Sequence, residues 1–398
     1  TITDVGEKDN KFTYTLKKGT NADNYTITTE YGKLKVTPVT TEVTVTITGN
    51  IKTDTYDGTE KTAEGYEVSI DNELYTEEDF SFDGEAIAKR TNAGTTMMGL
   101  KESNFANTSE NFKNVKFVVI DGKVAIDKRN VTLTSATDSK QYDGKPLTKK
   151  EVTVGGDGFA GMEGATYDVT GSQTKVGSSD NTFTYVLNSN TNADNYNITT
   201  HDGTLTVTNR DAKYNVTLVA NSNTGNIYDG SEKSATGIQT DEFEIDGVKY
   251  KVSGYQTSDP TATDAGTYDN VITGTYKVMD PEGNDVTDQF AVATQNGKLE
   301  IAKRKVTLTS ATDSKQYDGT PLTKKEVTVT GDGFATGEGA TYNVTGSQTA
   351  VGSSKNTFSY KLNDNTKAEN YEITEEPGTL TVNDRAVKYE ITVVANSD

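Results

Sequence analysis

Short runs of alternating apolar and polar residues recur along the whole chain, and helical periodicity is almost missing. In residues 129–209 these runs are rich in Val, Thr, Tyr and Ile, and Gly, Asn and Asp clusters separate them. This pattern predicts six or seven strands and a small antiparallel β-domain. The alternating runs are Val131 to Ser135, Glu151 to Val154, Thr166 to Val169, Thr182 to Leu187, Tyr196 to Thr199 and Thr204 to Val207.

A Tyr-Asp-Gly triplet recurs four times, at spacings of 86, 86 and 89 residues, beginning at Tyr56, Tyr142, Tyr228 and Tyr317. A glycine followed by an alternating strand recurs with it, at Gly32, Gly122, Gly203, Gly297 and Gly378. Repeats of this length exceed a solenoid unit and are long enough to bury a small core of their own. The sequence therefore predicts an array of similar modules.

Two kinds of module alternate. Residues 129–209 and 304–385 are near-duplicates (type B), whereas 39–128 and 210–303 share a second pattern (type A). The opening residues 1–38 match the C-terminal half of a type B module, and residues 386–398 match the start of a further type A module. The connection at Thr208 to Asp211 has no Pro-rich or Gly/Ser-rich linker, so we expect restricted hinges and an extended, monomeric rod.

The predicted fold is therefore all-β: a tandem array of small antiparallel β-modules, each Ig-like sandwich or β-grasp-like. An excised type B module, residues 304–385, is expected to fold alone because its closing strand lies within it. With 32% hydrophobic residues, the modules have thin cores, which disfavours one large enzyme-like core.

The net charge of -20 disfavours binding to nucleic acid and to anionic membranes, since both repel an acidic surface. The absence of Cys excludes disulfides, thiolate metal sites and a Cys nucleophile. No apolar run reaches the length that spans a bilayer, so no direct membrane insertion is expected. Because the chain begins within a module, any signal or anchoring segment is expected to lie outside it.

Few residues offer chemistry. In each Tyr-Asp-Gly, we expect the Asp-Gly pair to supply the positive-φ positions of a tight turn and the Tyr to anchor it; carbohydrate stacking by these rings is the alternative. His201, the single histidine, lies in a predicted turn without the fixed partner that catalysis needs. We therefore expect no enzyme, no cofactor and no metal centre.

The densest acidic run comprises Asp71, Glu73, Glu77, Glu78, Asp79 and Asp83. Its order does not match an EF-hand loop, so a plain acidic loop is favoured, with a calcium site as the alternative. Within this run, Thr76 is expected to cap a single helical turn and Asp79 to reach back to it.

The first type A module departs from its sister between Ala93 and Phe112, where it carries Met97, Met98 and Leu100. If exposed, these three side chains would form an adaptable apolar patch suited to a protein partner. The alternative, which we favour from sequence, is that they belong to a core strand.

The type B motifs resemble the MBG/YDG-type β repeats of bacterial cell-surface proteins along the whole module. The matching segments are Gln316 to Thr323, Asn370 to Thr374 and Gly378 to Val382. Type A matches less well, because it lacks the Asn-Tyr-x-Ile-Thr segment. The resemblance implies turn and strand signals and no catalytic residue.

The resemblance further implies a non-enzymatic stalk and adhesion segment of a secreted or wall-anchored Gram-positive adhesin, located outside the cell. The alternative function is a dedicated binder of a host glycoprotein, immunoglobulin or mucin, through one specialised module. A third hypothesis, a polysaccharide-binding accessory module of an enzyme, has less support because the chain has no Trp.

Overall fold

The computed structural model describes residues 1–395, so the last three residues of the predicted 386–398 segment lie outside the described part. It is all-β, as predicted, with short 3-10 turns and no α-helix in residues 1–395. The chain divides into two compact units, residues 1–140 with 146–207, and residues 141–145 with the chain from 208 onward.

The opening 38 residues and the first type A stretch contribute twelve strands. They are β1 (Gly6–Asn10), β2 (Gly32–Val36), β3 (Val43–Gly49), β4 (Ile51–Thr55), β5 (Lys61–Glu64), β6 (Tyr66–Ile70), β7 (Phe80–Phe82), β8 (Ile87–Arg90), β9 (Gly94–Met97), β10 (Phe105–Asn107), β11 (Val115–Ile120) and β12 (Lys123–Asp127). Short 3-10 turns cover Ala22–Asn24, Glu77–Asp79 and Glu102–Asn104.

The first complete type B stretch follows with β13 (Arg129–Ser135), β14 (Asp138–Gln141), β15 (Val152–Gly156), β16 (Ala165–Val169), β17 (Gly177–Asn181), β18 (Phe183–Leu187), β19 (Tyr196–His201) and β20 (Gly203–Thr208). A 3-10 turn at Ala193–Asn195 precedes β19.

The second type A stretch contains β21 (Tyr214–Val219), β22 (Asn223–Ile227), β23 (Lys233–Ser234), β24 (Glu242–Ile245), β25 (Val248–Thr257), β26 (Thr261–Ala262), β27 (Gly266–Asn270), β28 (Ile272–Met279), β29 (Phe290–Gln295) and β30 (Gly297–Ala302). The second type B stretch contains β31 (Arg304–Ser310), β32 (Asp313–Gln316), β33 (Val327–Gly331), β34 (Ala340–Val344), β35 (Gly352–Lys355), β36 (Phe358–Leu362), β37 (Tyr371–Glu376) and β38 (Thr379–Asn383). Their 3-10 turns are Thr287–Gln289 and Ala368–Asn370.

Both complete type B stretches have the same topology. The first strand, β13, pairs antiparallel with β15 and parallel with β19, while the last strand, β20, lies between β14 and β17. In the second copy β31 and β38 hold these places. The sheets are thus mixed, where the sequence predicted antiparallel pairs. An alternating pattern specifies which face of a strand is buried, but not the direction of its neighbours.

The type A stretches use the same scheme with different lengths. Their first strands, β3 and β21, pair parallel with β11 and β29, and their last strands, β12 and β30, pair with β4 and β22. Burial alternates along β3, where Val43, Val45 and Ile47 are fully buried. The alternating pattern in the sequence therefore marks the buried face correctly.

One apolar cluster joins each type A stretch to the type B stretch that follows it. In the first unit this cluster unites Tyr56, Val124 and Ile126 of type A with Val131, Leu133 and Tyr196 of type B. The second unit repeats the arrangement with Tyr228, Leu299, Ile301, Val306, Leu308 and Tyr371. A type A module and the type B module that follows it therefore share a core, which places the turns at Tyr56 and Tyr228 at the junction.

Candidate functional site: the repeated contacts between modules

Each Tyr-Asp-Gly forms a tight turn that is closed by the aspartate side chain. The Asp57 Oδ1 atom accepts a hydrogen bond from the Thr59 amide at 2.9 Å, and Lys61 Nζ lies 2.5 Å from Asp57 Oδ2. The glycine alone has positive φ, at 82° for Gly58. The expectation that both Asp and Gly take positive φ was wrong, because the aspartate caps the turn with its side chain instead.

The lysine contact lowers the pKa of the Asp57 carboxyl well below its usual range, and the two Thr59 hydrogen bonds add to this effect. The equivalent aspartates that accept from the residue two positions on are Asp143, Asp229 and Asp318. The turn geometry is therefore common to all four copies.

Three of the four tyrosines are buried. Tyr56, Tyr142 and Tyr228 keep 4%, 1% and 5% of their surface exposed, whereas Tyr317 is half-buried. A buried ring has no free face, so these three rings are not available to stack on a carbohydrate. These rings anchor the turn by packing against the core of their own module and also against the adjoining module.

The first unit joins its type A and type B stretches through a shared carboxylate. Tyr56 and Tyr196 both donate their hydroxyl to Glu163, at 2.5 Å to Oε1 and 2.7 Å to Oε2 respectively. The two rings meet edge to face with centroids 5.6 Å apart, and the Ala160 amide donates to the Tyr196 hydroxyl at 3.0 Å. Hydrogen bonds to an ionised acceptor belong to the stronger class, so this group is a specific junction contact.

The second unit contains the same group with nearly identical geometry. Tyr228 and Tyr371 donate to Glu338 at 2.5 and 2.8 Å, and the Ala335 amide donates to the Tyr371 hydroxyl at 3.0 Å. The ring centroids of the two tyrosines lie 5.5 Å apart. The arrangement therefore recurs with the repeat.

Burial raises the pKa of these hydroxyls, and the hydrogen bond to the glutamate raises it further. The pKa of Tyr196, Tyr228 and Tyr371 rises to about 12, and that of Tyr56 is also raised. The hydroxyls therefore remain protonated donors throughout the neutral pH range.

An arginine at the start of each type B stretch fixes the same turn through backbone carbonyls. Arg129 donates from Nη1 to the Tyr56 carbonyl at 3.3 Å, from Nε to Gly158 at 2.8 Å and from Nη2 to Asp157 at 2.6 Å. Arg304 makes the three equivalent bonds in the second unit. One guanidinium thus ties the turn of one module to a loop of the next.

An asparagine completes three of the junctions, and it is buried in two of them, at Asn195 and Asn370. In the first unit, Asn195 Oδ1 accepts from the Ala93 amide at 2.9 Å and its Nδ2 donates to Asn92 Oδ1 at 3.0 Å. We call Asn195 and its equivalents Asn111 and Asn370 the latch asparagines, and their partner residues 4–5, 92–93 and 264–265 the latch loops. The sequence analysis placed Asn195 and Asn370 in turns; the structure shows that they also reach the preceding stretch.

The other two latch asparagines repeat both bonds. Asn111 accepts from the Val5 amide at 2.7 Å and donates to Asp4 at 3.2 Å. Asn370 accepts from the Ala265 amide at 2.7 Å and donates to Asp264 at 2.9 Å. The type A stretch 39–128 therefore uses the same latch, even though its sequence lacks the Asn-Tyr-x-Ile-Thr segment.

The Tyr142 turn, which belongs to the second unit, keeps the bond from an arginine to the tyrosine carbonyl, but its other contacts differ. Arg210 Nη1 donates to the Tyr142 carbonyl and to the Tyr214 hydroxyl, both at 3.0 Å, and its guanidinium stacks 3.8 Å from the Tyr214 ring centre. A Cβ on Gly144 would lie 2.2 Å from the Tyr250 hydroxyl, so glycine is required there. Burial beside Tyr250 raises the pKa of Tyr142.

The structure separates the three residues that the sequence singled out as a possible partner site. Met97, in β9, is 50% exposed, but Met98 and Leu100 keep only 9% and 6% and belong to the cluster shared with type B. The amides of Gly99 and Leu100 both donate to the Asp121 carboxylate at 3.0 Å. The exposed patch of three side chains does not form, because this segment is folded into the core. Binding through Met97 stays a prediction.

The remaining candidates behave as surface residues. His201 is exposed at the end of β19. In the acidic run, Asp79 Oδ2 accepts from the Thr76 amide at 2.9 Å, which is the helical cap predicted from sequence, and Asp71 accepts from the Thr44 amide at 2.9 Å. Within residues 1–395, no group of three or more His, Cys, Asp or Glu side chains is arranged to hold a metal ion.

Across the part of the chain that the structure describes, no helix has both the length and the apolar character required to cross a membrane.

Comparison with known proteins finds no family and no curated protein that match the chain. Among solved structures it is similar to the N-terminal eight immunoglobulin domains of Down syndrome cell adhesion molecule, at 10% identity and a TM-score of 0.13. The match covers 89% of this chain and 49% of that chain, so this chain spans about half its length. A TM-score of this size supports no argument about fold or function.

Proposed function

We propose that this chain is a non-enzymatic repeat segment of a bacterial cell-surface adhesin, which acts outside the cell as a stalk and adhesion surface. The observation that carries the proposal is the repeated junction: the tyrosine–glutamate group and the arginine contacts occur in both units, and the latch occurs three times. The glutamate of each tyrosine–glutamate group is engaged in joining modules. Both oxygens of Glu163, for example, accept tyrosine hydroxyls.

A junction of this kind suits a spacer. Each type A and type B pair shares one apolar cluster, and the arginine and the latch hold the adjoining backbones at separate points. Several contacts around one short connection restrict bending more than a single covalent link does. An acidic surface additionally keeps such a segment soluble and free of non-specific contacts.

The test is small-angle scattering of the intact chain and of a variant that lacks residues 129–303, one type B and one type A module. A compact chain of this length has a radius of gyration of about 21 Å. We expect a clearly larger value for the intact chain and a shorter maximum dimension for the deletion. A radius near the compact value would exclude the stalk.

The same two proteins separate the stalk from the alternative, a dedicated binder of mucin or immunoglobulin. Both are passed over immobilised mucin and immunoglobulin G. A dedicated binder would capture one of these ligands and lose it with the module that carries the site. The burial of Met98 and Leu100 removes the observation that favoured that alternative.

A further inference from the structure

The latch of the second unit adds an ion pair to the asparagine contacts. Asp264 accepts from Asn370 Nδ2 through Oδ1 at 2.9 Å, and its Oδ2 lies 2.7 Å from Lys367 Nζ. Asn370 is fully buried, whereas the side chains of Asp264 and Lys367 keep 38% and 57% of their surface. The buried amide thus depends on an acceptor that the preceding type A stretch supplies.

The residue in the place of Asp264 varies along the chain. It is Asp4, Asn92 or Asp264 in the three latched loops, and Lys175 or Ala350 in the two complete type B stretches. Asp264 stands two residues before Gly266, which begins β27 against the closing strand β30. Lys175 stands two residues before Gly177, which begins β17 against the closing strand β20. The type A loop therefore reads Asp-Ala and this type B loop reads Lys-Val. Lys175 is exposed on its own module.

If a second type B module followed the first directly and packed as it does after type A, it would meet Lys175 where it now meets Asp264. An ammonium group has three donors and no acceptor, so it cannot receive the Asn370 Nδ2 hydrogen bond. It would also face Lys367 with the same charge, which is unfavourable at this distance.

We propose that the latch is a selectivity contact. It allows the type B module 304–385, which carries Lys367, to follow a type A module, and it disfavours that module directly after the type B module 129–209, which carries Lys175. The contact recognises the loop of the preceding module by its hydrogen-bond acceptor and its charge. This inference goes beyond the proposed function and does not rest on it.

The first test uses the full chain and reads the amide exchange of Ala265, whose hydrogen bond reports the latch directly. Asp264→Lys copies the type B loop and should speed exchange at least about fivefold, since it removes an acceptor and opposes two ammonium groups. The double variant Asp264→Lys with Lys367→Asp should restore most of the protection. The matched control is Asn92→Lys, read by the exchange of the Ala93 amide. Its effect should be smaller, because the residue in the place of Lys367 is the uncharged Asn192 and no second ammonium group opposes the new lysine.

The second test changes module order. Deletion of residues 129–303 joins the type A module 39–128 directly to the last type B module, 304–385. Deletion of residues 210–303 joins the type B module 129–209, which carries Lys175, to that same last module. The latch amide, which faces Asn370, is Ala93 in the first deletion chain and Val176 in the second. We expect its protection factor to persist in the first chain and to be at least about fivefold lower in the second. Lys175→Asp should recover it.

Equal protection in the two deletion chains would overturn the proposal, as would a full-chain Asp264→Lys variant with unchanged Ala265 exchange. If the second deletion chain does not fold, the full-chain variants alone decide. Neither readout depends on adhesion or on the overall dimensions of the chain, so failure here and failure of the stalk are distinguishable.

Discussion

Removal of a single hydroxyl should weaken a junction without disturbing its packing. In Tyr228→Phe the ring keeps its place against Tyr371, at a centroid distance of 5.5 Å, but Glu338 loses the donor at 2.5 Å. A hydrogen bond to a charged group contributes about 1.5–3 kcal/mol, and Tyr228 is only 5% exposed, so the free energy of unfolding should fall by about that amount.

Differential scanning calorimetry of the intact chain measures this change. A loss of about 1.5–3 kcal/mol corresponds to a decrease of roughly 3 to 12 °C in the transition of a unit of this size. Tyr56→Phe should lower the transition of the first unit similarly, because Tyr56 donates to Glu163 in the same way. The two effects should be additive in the double variant, since the sites share no partner.

The matched control is Tyr317→Phe, which alters the same motif where the ring is half-buried and where no hydroxyl hydrogen bond is found within residues 1–395. We expect a change below about 0.5 kcal/mol there, as for an ordinary surface substitution. If Tyr228→Phe and Tyr317→Phe have the same effect, the tyrosine–glutamate group does not stabilise the junction, and the reasoning from its geometry is wrong.

Three further predictions concern the same contacts. Folding raises the pKa of tyrosines such as Tyr196 from 10.0 to about 12, and the resulting contribution to stability is complete below pH 10 and is lost as the pH rises through about 12. Denaturant titrations should therefore show the free energy of unfolding falling between these pH values, and a constant free energy would contradict the prediction. The fragment 304–385 should fold alone by circular dichroism but melt below the fragment 210–385, which keeps the shared cluster, and equal melting would exclude a stabilising junction. Leu100→Ala should cost about 2–5 kcal/mol and Met97→Ser less than about 0.5 kcal/mol in denaturant unfolding, and the reverse order would refute the burial.

Much of the fold could be predicted from the sequence, because strand formation depends on local patterns. Alternation along residues such as Val131 and Leu133 marks the buried face. The parallel pairing of β13 with β19 could not be predicted, because alternation carries no information on the direction of a neighbouring strand. The aspartate turns were recognised as turns, although their geometry differs from the expected pair of positive φ angles.

The junction was missed because its residues are ordinary when each module is considered alone. Glu163 and Glu338 are single carboxylates among many, and the latch asparagines have turn-like neighbours. One signal could have identified the glutamates: the near-duplicates differ just before them, with Gly161-Met162 in one copy and Thr336-Gly337 in the other, yet both retain the glutamate. A pairwise comparison of the repeats does not reveal that one of the two tyrosine partners of each glutamate, Tyr56 or Tyr228, lies in another module.

The shared core offers a physical reason for this design. A module of about 80 residues with few apolar side chains buries only a modest fraction of its surface and is marginally stable by itself. Tyr56 of the type A module and Tyr196 of the type B module lie in one cluster, and both rings are buried. The two small cores therefore bury more apolar surface together than each would bury alone. Stability then depends on the correct neighbour being present, so selection for a stable array also selects contacts, such as the latch, that distinguish one neighbour from another.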